Sequence, residues 1–310
     1  MNVLNQVVTD KYAIYHADSC EALPMLPSNS IGYSIFSPPF ASLYTYSASE
    51  RDLGNVKNSD EFFRHFAFMI PEIFRVLKPG RLVSLHCMEL PTSKSMHGHI
   101  GLQDFPGDLI RAFQSAGFIF HSRVTIWKDP VTAMQRTKAL GLLHKTIRKD
   151  SAMSRQGIPD YLVTMRKPGV NEEPIAHTAE EFPVQMWQRY ASPVWVTTEG
   201  HDMDGWPICK QDIDPSDTLQ YRSAREHDDE RHICPLQLEV IRRGVRLWSN
   251  PGDAVLSPFS GIGSEGHVSL QEGRKYVGIE LKKSYYEQST RNLEAAASET
   301  EDQLSMFGDL

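Results

Sequence analysis

The sequence is poor in cysteine and contains no long apolar run. Its 310 residues include four cysteines, and none of them forms a CxxC pair. This spacing predicts a reducing compartment without disulfide bonds. No apolar stretch approaches the length of about 18 residues that a membrane span requires, and the N-terminus lacks the basic and apolar regions of a signal peptide. We therefore expect an intracellular, cytoplasmic protein.

Internal repeats and compositional bias are also absent, but the charge is unevenly distributed. Hydrophobic residues make up 40% of the chain and charged residues 23%, fractions that are typical of a folded globular protein. The net charge is −7. Residues 121–167 nevertheless hold ten Lys and Arg against three Asp and Glu, whereas residues 171–230 hold fourteen acidic and four basic residues. The basic stretch is either a contact surface for a polyanion such as DNA or an ordinary solvated surface.

Short β-branched or aromatic runs alternate with helical patterns, which predicts an α/β fold with a mostly parallel sheet. The predicted strands are Tyr12–His16, Ile31–Ser37, Arg81–Cys87, Phe118–Trp127, Tyr161–Arg166, Ala254–Phe259 and Tyr276–Leu281. The predicted helices are Ser59–Leu77, Gly107–Ala116, Leu236–Trp248, Ser264–Glu272 and Ser284–Ala297. We expect the fourth and fifth strands to pair antiparallel around a basic insertion at 128–158, and residues 168–230 to be irregular.

A rigid motif, Phe36-Ser37-Pro38-Pro39-Phe40, follows the second predicted strand. Its two prolines fix φ and remove two N–H donors, and the motif lies at the carboxyl end of a strand, where open α/β sheets bind ligands. The Ser37 hydroxyl and a proline carbonyl could accept hydrogen bonds from an exocyclic amino group, while the Phe40 ring stacks on the attached base. An ordinary proline stop between strand and loop would have the same sequence.

A second motif joins a strand to a helix through Gly261, Gly263 and Gly266. The spacing fits GxGxxG, in which glycines let a nucleotide approach the backbone and the helix N-terminus. The next predicted strand contains Glu280, whose carboxylate could bind the two ribose hydroxyls of an adenosine group. No Lys-Ser or Lys-Thr follows the glycines, which excludes a phosphate-binding loop of the NTPase type.

Together, the SPPF motif, the glycine motif and the following YVGIEL resemble those of S-adenosylmethionine-dependent amino-group DNA methyltransferases. SPPF comes before the glycine motif, with a variable region between them, which resembles the β class of that family. The segments Tyr15–Asp18 and His232–Gln237 are also similar to family motifs, so that the resemblance covers residues 10–127 and 231–297. The chain departs from the family where Ser257 replaces an Asp and where Ala17-Asp18 replaces Gly-Asp.

The resemblance implies a Rossmann-like methyltransferase sheet with an antiparallel hairpin and an inserted target-recognition region. It divides the chain into a first catalytic part at 1–127, a DNA-contacting insertion and target-recognition region at 128–230, a cofactor-binding part at 231–297 and a flexible tail at 298–310. The implied cofactor is S-adenosylmethionine, with binding residues Asp18, Phe259, Gly261, Gly263 and Glu280. The implied catalytic residues, acting on a base flipped out of double-stranded DNA, are Ser37, Pro38, Pro39 and Phe40.

Within the resembled family, Ser at the first motif position is associated with cytosine N4 and Asp with adenine N6. Ser37 therefore favours N4-cytosine methylation, with N6-adenine as the alternative. Ser37 Oγ and the Pro38 carbonyl would favour the pyramidal amino nitrogen of the transition state, and no general base is evident. C5-cytosine methylation is disfavoured, because that chemistry uses a Pro-Cys nucleophile and Cys234-Pro235 has the reverse order.

The basic insertion and the tail carry the partner predictions. We expect residues 168–230 to contact base edges and the insertion to contact phosphates through Arg136, Lys138, Lys145, Arg148 and Lys149. The tail segment Gln303-Leu304-Ser305-Met306-Phe307 resembles the short peptide by which DNA enzymes bind the bacterial sliding clamp. The polar residues 298–302 would leave this segment free and extended, although a tail that packs back on the sheet or frays is the alternative.

From the residues alone, the alternatives are a zinc site, a Rossmann dehydrogenase and a non-catalytic DNA-binding protein. The set Cys209, His227, His232 and Cys234 fits no closed zinc pattern, so no metal site is predicted. His86-Cys87 ends a strand and is expected to be core packing. A Rossmann dehydrogenase would carry its glycine motif near the start of the chain, and a non-catalytic DNA-binding protein would not require SPPF with Glu280.

Overall fold

A computed structural model describes residues 3–39, 59–137, 141–220, 224 and 235–308 of the chain. The strands are β1 (Asn5–Val8), β2 (Tyr12–His16), β3 (Ile31–Phe36), β4 (Leu77–Cys87), β5 (Leu90–Thr92), β6 (Gly101–Gln103), β7 (Ile119–Ile126), β8 (Asp160–Arg166), β9 (Val194–Trp195), β10 (Thr197–His201), β11 (Pro207–Lys210), β12 (Ala254–Ser257) and β13 (Lys275–Glu280). The helices are α1 (Ser19–Ala22), α2 (Ser59–Phe66), α3 (Ile70–Val76), α4 (Lys94–His97), α5 (Phe105–Ser115), α6 (Pro130–Thr137), α7 (His144–Lys149), α8 (Val184–Tyr190), α9 (Leu238–Trp248), α10 (Ser264–Gln271) and α11 (Lys283–Gly308).

Nine strands form one mixed sheet in the order β1-β2-β13-β12-β3-β4-β8-β7-β9. The central strands β2, β13, β12, β3 and β4 are parallel to one another. β8 is antiparallel to both β4 and β7. All seven predicted strands lie in this sheet, which confirms the α/β fold, its mostly parallel core and the antiparallel pair.

The direction of the chain connections reverses between β12 and β3. From β12 the chain passes through α10 to β13, which lies toward the β1 end of the sheet. From β3 it passes through α2 and α3 to β4, which lies toward the β9 end. The two strands are adjacent and parallel, with Val255 paired to Tyr33 and Leu256 to Ser34. Ligands of open α/β sheets bind at the carboxyl ends of strands at such a switch point. The SPPF motif after β3 and the glycine motif after β12 therefore lie side by side at the carboxyl ends of these two strands.

Apolar side chains cover both faces of the sheet, which explains why β3 is buried at all six of its residues. On one face, α2, α3 and α5 contribute side chains such as Phe66, Ile73 and Phe113. On the other face, α9 and α11 contribute Val245 and Leu293, among others. A strand that is buried on both faces has a nearly continuous apolar sequence. This pattern correctly predicted that SPPF follows a strand, at the edge of the sheet.

Two predicted helices differ from the structure. The segment 59–77 is two helices rather than one, because Pro71 lies in the first turn of α3, where its missing N–H costs no helical hydrogen bond. The C-terminal helix does not end at Ala297 but continues to Gly308. Residues 298–302 contain no Pro or Gly stop, and the hydroxyls of Ser298 and Thr300 donate to carbonyls four residues back.

The expectation of an extended tail was therefore wrong, since the backbone of residues 303–307 is helical. The region 168–230 also holds more structure than expected, namely α8, β9 and the β10–β11 hairpin. These elements are short, and β10 and β11 are exposed throughout, so neither alternation nor length marks them in the sequence. In the described ranges, no helix has the length and apolarity that crossing a membrane requires.

Candidate active site

Four predicted site positions lie in a row along the carboxyl edge of the parallel strands. In sheet order they are Asp18 after β2, Glu280 at the end of β13, Phe259 after β12 and Ser37 after β3. Neighbouring strands lie about 4.8 Å apart, so that the row spans about 14 Å. The edge is long enough for a nucleotide-sized ligand at β2, β13 and β12, with a second ligand beside it at β3.

The carboxylate of Glu280 is held at the mouth of the glycine loop. Its Oε2 accepts a hydrogen bond from the Gly261 N–H at 2.7 Å, and its Oε1 accepts one from the Lys282 N–H at 2.8 Å. A carboxylate has about four acceptor sites. The side chain is therefore fixed in position at the mouth of the loop, as a group that accepts hydrogen bonds.

Gly261 and Gly263 have different roles in the loop. Both have positive φ, of +52° and +85°, a region that favours glycine. Among the described residues, a Cβ at Gly261 would meet nothing within 4 Å, whereas a Cβ at Gly263 would lie 2.6 Å from Ser289 Oγ. Within the described part of the chain, Gly261 thus faces space that a ligand could occupy. The requirement for glycine at Gly263 is explained by the close packing of the loop on α11.

The buried carboxyl group of Glu265 lies in the first turn of α10, directly after the glycine loop. It is 4% exposed. Burial, together with the negative charge of Glu280, raises the pKa of Glu265 to about 8. Glu265 is therefore largely protonated at neutral pH, and nothing in the sequence pattern indicates this.

The segments that carry Asp18 and Phe259 are joined to their neighbours by polar and aromatic contacts. Asp18 caps α1 by accepting a hydrogen bond from the Cys20 N–H at 2.9 Å, and the Ser19 hydroxyl donates to the Pro258 carbonyl at 2.5 Å. α1 is thereby tied to the loop after β12. The half-buried Phe259 ring lies 5.7 Å from the Phe36 ring, which connects this loop to the strand that carries SPPF.

Ser37 is the first member of a chain of polar side chains that leads into the protein. Its Oγ lies 3.0 Å from Nδ1 of His86. Nε2 of His86 lies 3.3 Å from Oδ2 of Asp160, and Asp160 Oδ1 accepts a hydrogen bond from Lys128 Nζ at 2.5 Å. His86 is 8% and Asp160 4% exposed. His86 is thus buried, as expected, but both of its nitrogens face polar groups.

The sheet topology brings these residues together. His86 lies near the end of β4, Asp160 begins β8, and Lys128 follows β7, so that all three continue the row of Ser37 along the same edge. Burial alone would raise the pKa of Asp160, but the Lys128 ammonium and His86 lower the pKa to about 2. Asp160 is therefore an ionised carboxylate at neutral pH.

A family model for DNA methylases of the N6/N4 type matches residues 32–291 of this chain. The chain belongs to the N6/N4 DNA methylase family. Membership confirms the class of enzyme that SPPF and the glycine motif predicted, an amino-group DNA methyltransferase. The family includes enzymes that methylate cytosine N4 and enzymes that methylate adenine N6, so that membership does not distinguish the two target bases.

The methylase also resembles individual known proteins. It is 24% identical to the type II methyltransferase M.BglII of Bacillus subtilis over 275 residues, which make up 88% of this chain and 66% of M.BglII. The solved structure of TTHA0409 from Thermus thermophilus, complexed with S-adenosyl-L-methionine, superposes with a TM-score of 0.62 at 20% identity, covering 93% of this chain and 96% of that chain. The cytosine-N4-specific PvuII DNA methyltransferase superposes with a TM-score of 0.61 at 17% identity, covering 96% and 93%. These likenesses confirm the predicted fold.

The basic insertion of the methylase leaves the sheet at the edge that carries the site. Lys128 is its first residue, just after β7, and Asp160 follows it at the start of β8. Lys145, Arg148 and Lys149 lie on α7 and are exposed. α6 and α7 line an open pocket of about 600 Å³, whose apolar lining includes Trp127, Val131, Met134, Leu143 and Ile147. The insertion that carries these charges thus leaves and rejoins the sheet at the edge of the candidate site.

Several predicted residues of the methylase lie outside the described residues. These are Phe40, Lys138, His227, His232 and Cys234; the side chain of Arg136 is likewise not described, although its backbone belongs to α6. Cys209 is exposed on β11. In the part of the chain that the structure describes, no group of three or more His, Cys, Asp or Glu could hold a metal ion.

Sequence reasoning missed His86, Asp160 and Lys128 as a connected group. The only signal was topological. An antiparallel pairing of β7 with β8 places the end of one and the start of the other at a single edge, and the parallel pairing of β3 with β4 brings Ser37 to that edge. No local motif connects these positions.

Proposed function

We propose that this protein transfers a methyl group from S-adenosylmethionine to the exocyclic amino group of a flipped base in double-stranded DNA, with cytosine N4 as the target. The observation that carries the proposal is the meeting of two loops at one switch point. Ser37 and Pro38 follow β3, and the loop of Gly261 with Glu280 lies at the adjoining ends of β12 and β13. A target amino group and a methyl donor would thus be held side by side.

The residues present fit S-adenosylmethionine. Among the described residues, nothing lies where a side chain of Gly261 would project, and the fixed Glu280 carboxylate would accept hydrogen bonds from two ribose hydroxyls. Asp18 lies on the far side of Glu280 from Ser37, where it would approach the adenine. When bound, the cofactor supplies an electrophilic methyl group on a sulfonium. The cofactor-binding roles of Asp18, Phe259, Gly261, Gly263 and Glu280 are part of this proposal.

The SPPF motif would orient the nucleophile. An exocyclic amino nitrogen is a poor nucleophile, since its lone pair is delocalised into the ring. Ser37 Oγ and the carbonyl of the buried Pro38 would accept its two hydrogens and favour the pyramidal nitrogen of the transition state. Proximity to the methyl donor contributes further. Unstacking the base costs a few kcal/mol, which stacking on Phe40 would partly offset.

The choice of cytosine rests on Ser37. A neutral hydroxyl occupies the position at which the N6-adenine members of the family usually have a carboxylate, and the PvuII enzyme is named as cytosine-N4-specific. Adenine N6 is the alternative. The phosphate contacts are assigned to the exposed Lys145, Arg148 and Lys149 on α7, and base-edge contacts to residues 168–230.

One experiment tests the activity and the base together. The purified protein is incubated with S-adenosylmethionine carrying a labelled methyl group and with bacterial genomic DNA that lacks methylation. The nucleosides are then separated and identified by mass spectrometry. We expect labelled N4-methylcytosine, and none with heat-denatured protein. Labelled N6-methyladenine would refute the base but retain the enzyme class, while unlabelled DNA at all protein concentrations would refute the proposed function.

The tail remains a proposed contact with a DNA sliding clamp. The backbone of Gln303–Phe307 is helical, so docking as an extended peptide would require this last part of α11 to unwind. Calorimetry of a peptide of residues 298–310 against a purified clamp tests the idea. Binding that is lost in the Leu304→Ala and Phe307→Ala double variant supports it, and absence of binding refutes it.

A further inference from the structure

The polar chain behind Ser37 has a fixed direction. Asp160 is an ionised carboxylate, and a carboxylate is only an acceptor of hydrogen bonds. One of its oxygens accepts from Lys128 Nζ at 2.5 Å. The other lies 3.3 Å from His86 Nε2, a buried nitrogen that forms no hydrogen bond within the described part of the chain, so that the two interact through charge. The carboxylate therefore favours the tautomer of His86 that carries its proton on Nε2.

This tautomer determines what Ser37 can do. With the proton on Nε2, Nδ1 of His86 has a lone pair and can only accept. The Ser37 hydroxyl, at 3.0 Å, must then donate its single proton to Nδ1. Donation to Nδ1 uses neither lone pair of Ser37 Oγ. A hydroxyl held in this way is an acceptor for an N–H group of a ligand.

We propose that His86, oriented by Asp160 and Lys128, is a positioning residue that keeps Ser37 Oγ as an acceptor toward the target amino group and takes up the proton which that group loses. The inference rests on the proposed function and deepens it. It also supplies the proton acceptor that is not evident in the sequence. The arrangement follows the logic of a serine, histidine and aspartate triad, although the serine here acts as an acceptor and forms no covalent bond.

The proton balance of the step is complete. The amino nitrogen forms a bond to the methyl carbon, while the carbon–sulfur bond breaks and its electron pair remains on sulfur, which becomes a neutral thioether. The nitrogen now carries a positive charge and loses one proton to Ser37 Oγ. Ser37 passes its own proton to Nδ1 of His86, and the resulting imidazolium faces the Asp160 carboxylate. Water later takes the proton from His86.

Neighbouring charged groups are engaged elsewhere. The Tyr161 hydroxyl donates to Glu89 at 2.8 Å, and the Arg123 guanidinium lies 5.2 Å above the Tyr161 ring. Cys87, next to His86, is buried in the apolar cluster on one face of the sheet, and burial raises its pKa further from the neutral range. Asp160, with Lys128 behind it, is therefore the charged partner of the imidazole among these groups.

The tautomer is tested without any activity assay. Protein labelled with ¹⁵N in its histidines is examined by NMR, and the His86 signals are assigned by their loss in His86→Asn. We expect a protonated Nε2 and an unprotonated Nδ1 in the wild type, and a shift of both signals in Asp160→Asn. A proton on Nδ1 in the wild type overturns the proposal.

The second test measures the rate of methyl transfer to DNA in a single turnover. We expect His86→Asn and Asp160→Asn to lower this rate at least about 100-fold, as the loss of a preorganised partner does, with the Kd of S-adenosylmethionine and of DNA within about twofold of wild type. Added imidazole should restore part of the rate in His86→Gly. Lys128→Met, which removes the charge at a half-buried position, should show a smaller loss in the same direction.

Ser84→Ala is the matched control, because the Ser84 hydroxyl forms a buried hydrogen bond of 2.9 Å with Thr164 across the same two strands. It should leave the rate of methyl transfer unchanged. A rate in His86→Asn within about threefold of wild type, or a loss that Ser84→Ala reproduces, overturns the proposal. Failure of the proposed function is distinct, since in that case the wild-type protein itself transfers no methyl group to DNA.

Discussion

The Glu280 carboxylate accepts a hydrogen bond of 2.7 Å from the backbone N–H of Gly261. Glu280 ends β13, Gly261 lies in the loop after the neighbouring strand β12, and the two are 19 positions apart in sequence. The contact makes the acidic end of β13 and the glycine loop after β12 one unit. Loss of Glu280 should therefore remove its contacts to a bound ligand and also release the loop.

Glu280→Ala is expected to weaken binding of S-adenosylmethionine by about 10- to 100-fold, in line with the loss of hydrogen bonds to a charged group. Calorimetry with the purified protein measures this directly. Glu287→Ala, at an exposed position on α11, is the control and should bind as the wild type does. If Glu280→Ala keeps the wild-type Kd for S-adenosylmethionine, the cofactor does not bind beside Glu280 at the end of β13.

Ser37→Ala is expected to lower turnover by about 100- to 1,000-fold, because one of the two acceptors for the amino group is lost. The Kd of S-adenosylmethionine should not change, since Ser37 lies at β3 and the proposed cofactor residues lie at β2, β13 and β12. Rapid-quench measurement of methyl transfer gives the rate. Turnover near that of the wild type would show that Ser37 has no part in the step.

Much of this site could be predicted from the sequence, for a local reason. β3 and β12 are short, buried strands, and each runs directly into its motif, so that strand pattern and motif together place Ser37 and Gly261 at the carboxyl edge. The polar chain behind Ser37 could not be predicted in this way. Ser37 and His86 are 49 positions apart, and only the pairing of strands brings them into contact.

The roles of the two glycines show the same limit. The motif alone does not distinguish Gly261 from Gly263. In the structure, Ser289 packs against Gly263 and not against Gly261. The tail illustrates the reverse case. The polar composition of residues 298–302 predicted that residues 303–307 would be free and extended, whereas the backbone of α11 is helical through both segments.

Stability should depend on pH through Glu265. Its pKa is raised from 4.5 to about 8 in the folded protein. Between these values the folded protein holds a proton that the unfolded chain has lost, so the free energy of unfolding falls as the pH rises, by up to about 1.4 kcal/mol per pH unit. Glu265→Gln, which stays neutral, should remove this slope and exceed the wild type in stability at pH 8.

Chemical denaturation of both proteins in steps from pH 5 to pH 8 tests the prediction about Glu265. The two free energies of unfolding should approach each other at the acidic end, where the wild-type carboxyl is protonated in the folded and partly in the unfolded state. Glu287→Gln changes an exposed carboxylate on α11 and should keep the wild-type slope. Parallel curves for Glu265→Gln and the wild type would contradict the buried, protonated carboxyl.

The basic surface of α7 should determine the salt dependence of DNA binding. Lys145, Arg148 and Lys149 are exposed, and the insertion that carries them leaves the sheet at the edge of the candidate site. Each phosphate contact that is lost reduces the slope of log K against log salt by about 0.9. The triple alanine variant should therefore bind every DNA sequence more weakly, with a slope reduced by up to about 3.

Fluorescence anisotropy with two unrelated duplexes over a series of salt concentrations measures both effects. Lys275→Ala is the control, because Lys275 is exposed at the amino end of β13, on the opposite edge of the sheet from the site. It should leave the slope unchanged. If the triple variant keeps its salt dependence but loses affinity for only one of the two duplexes, α7 contacts base edges rather than phosphates, and sequence recognition would then begin in the insertion at 128–158 instead of residues 168–230.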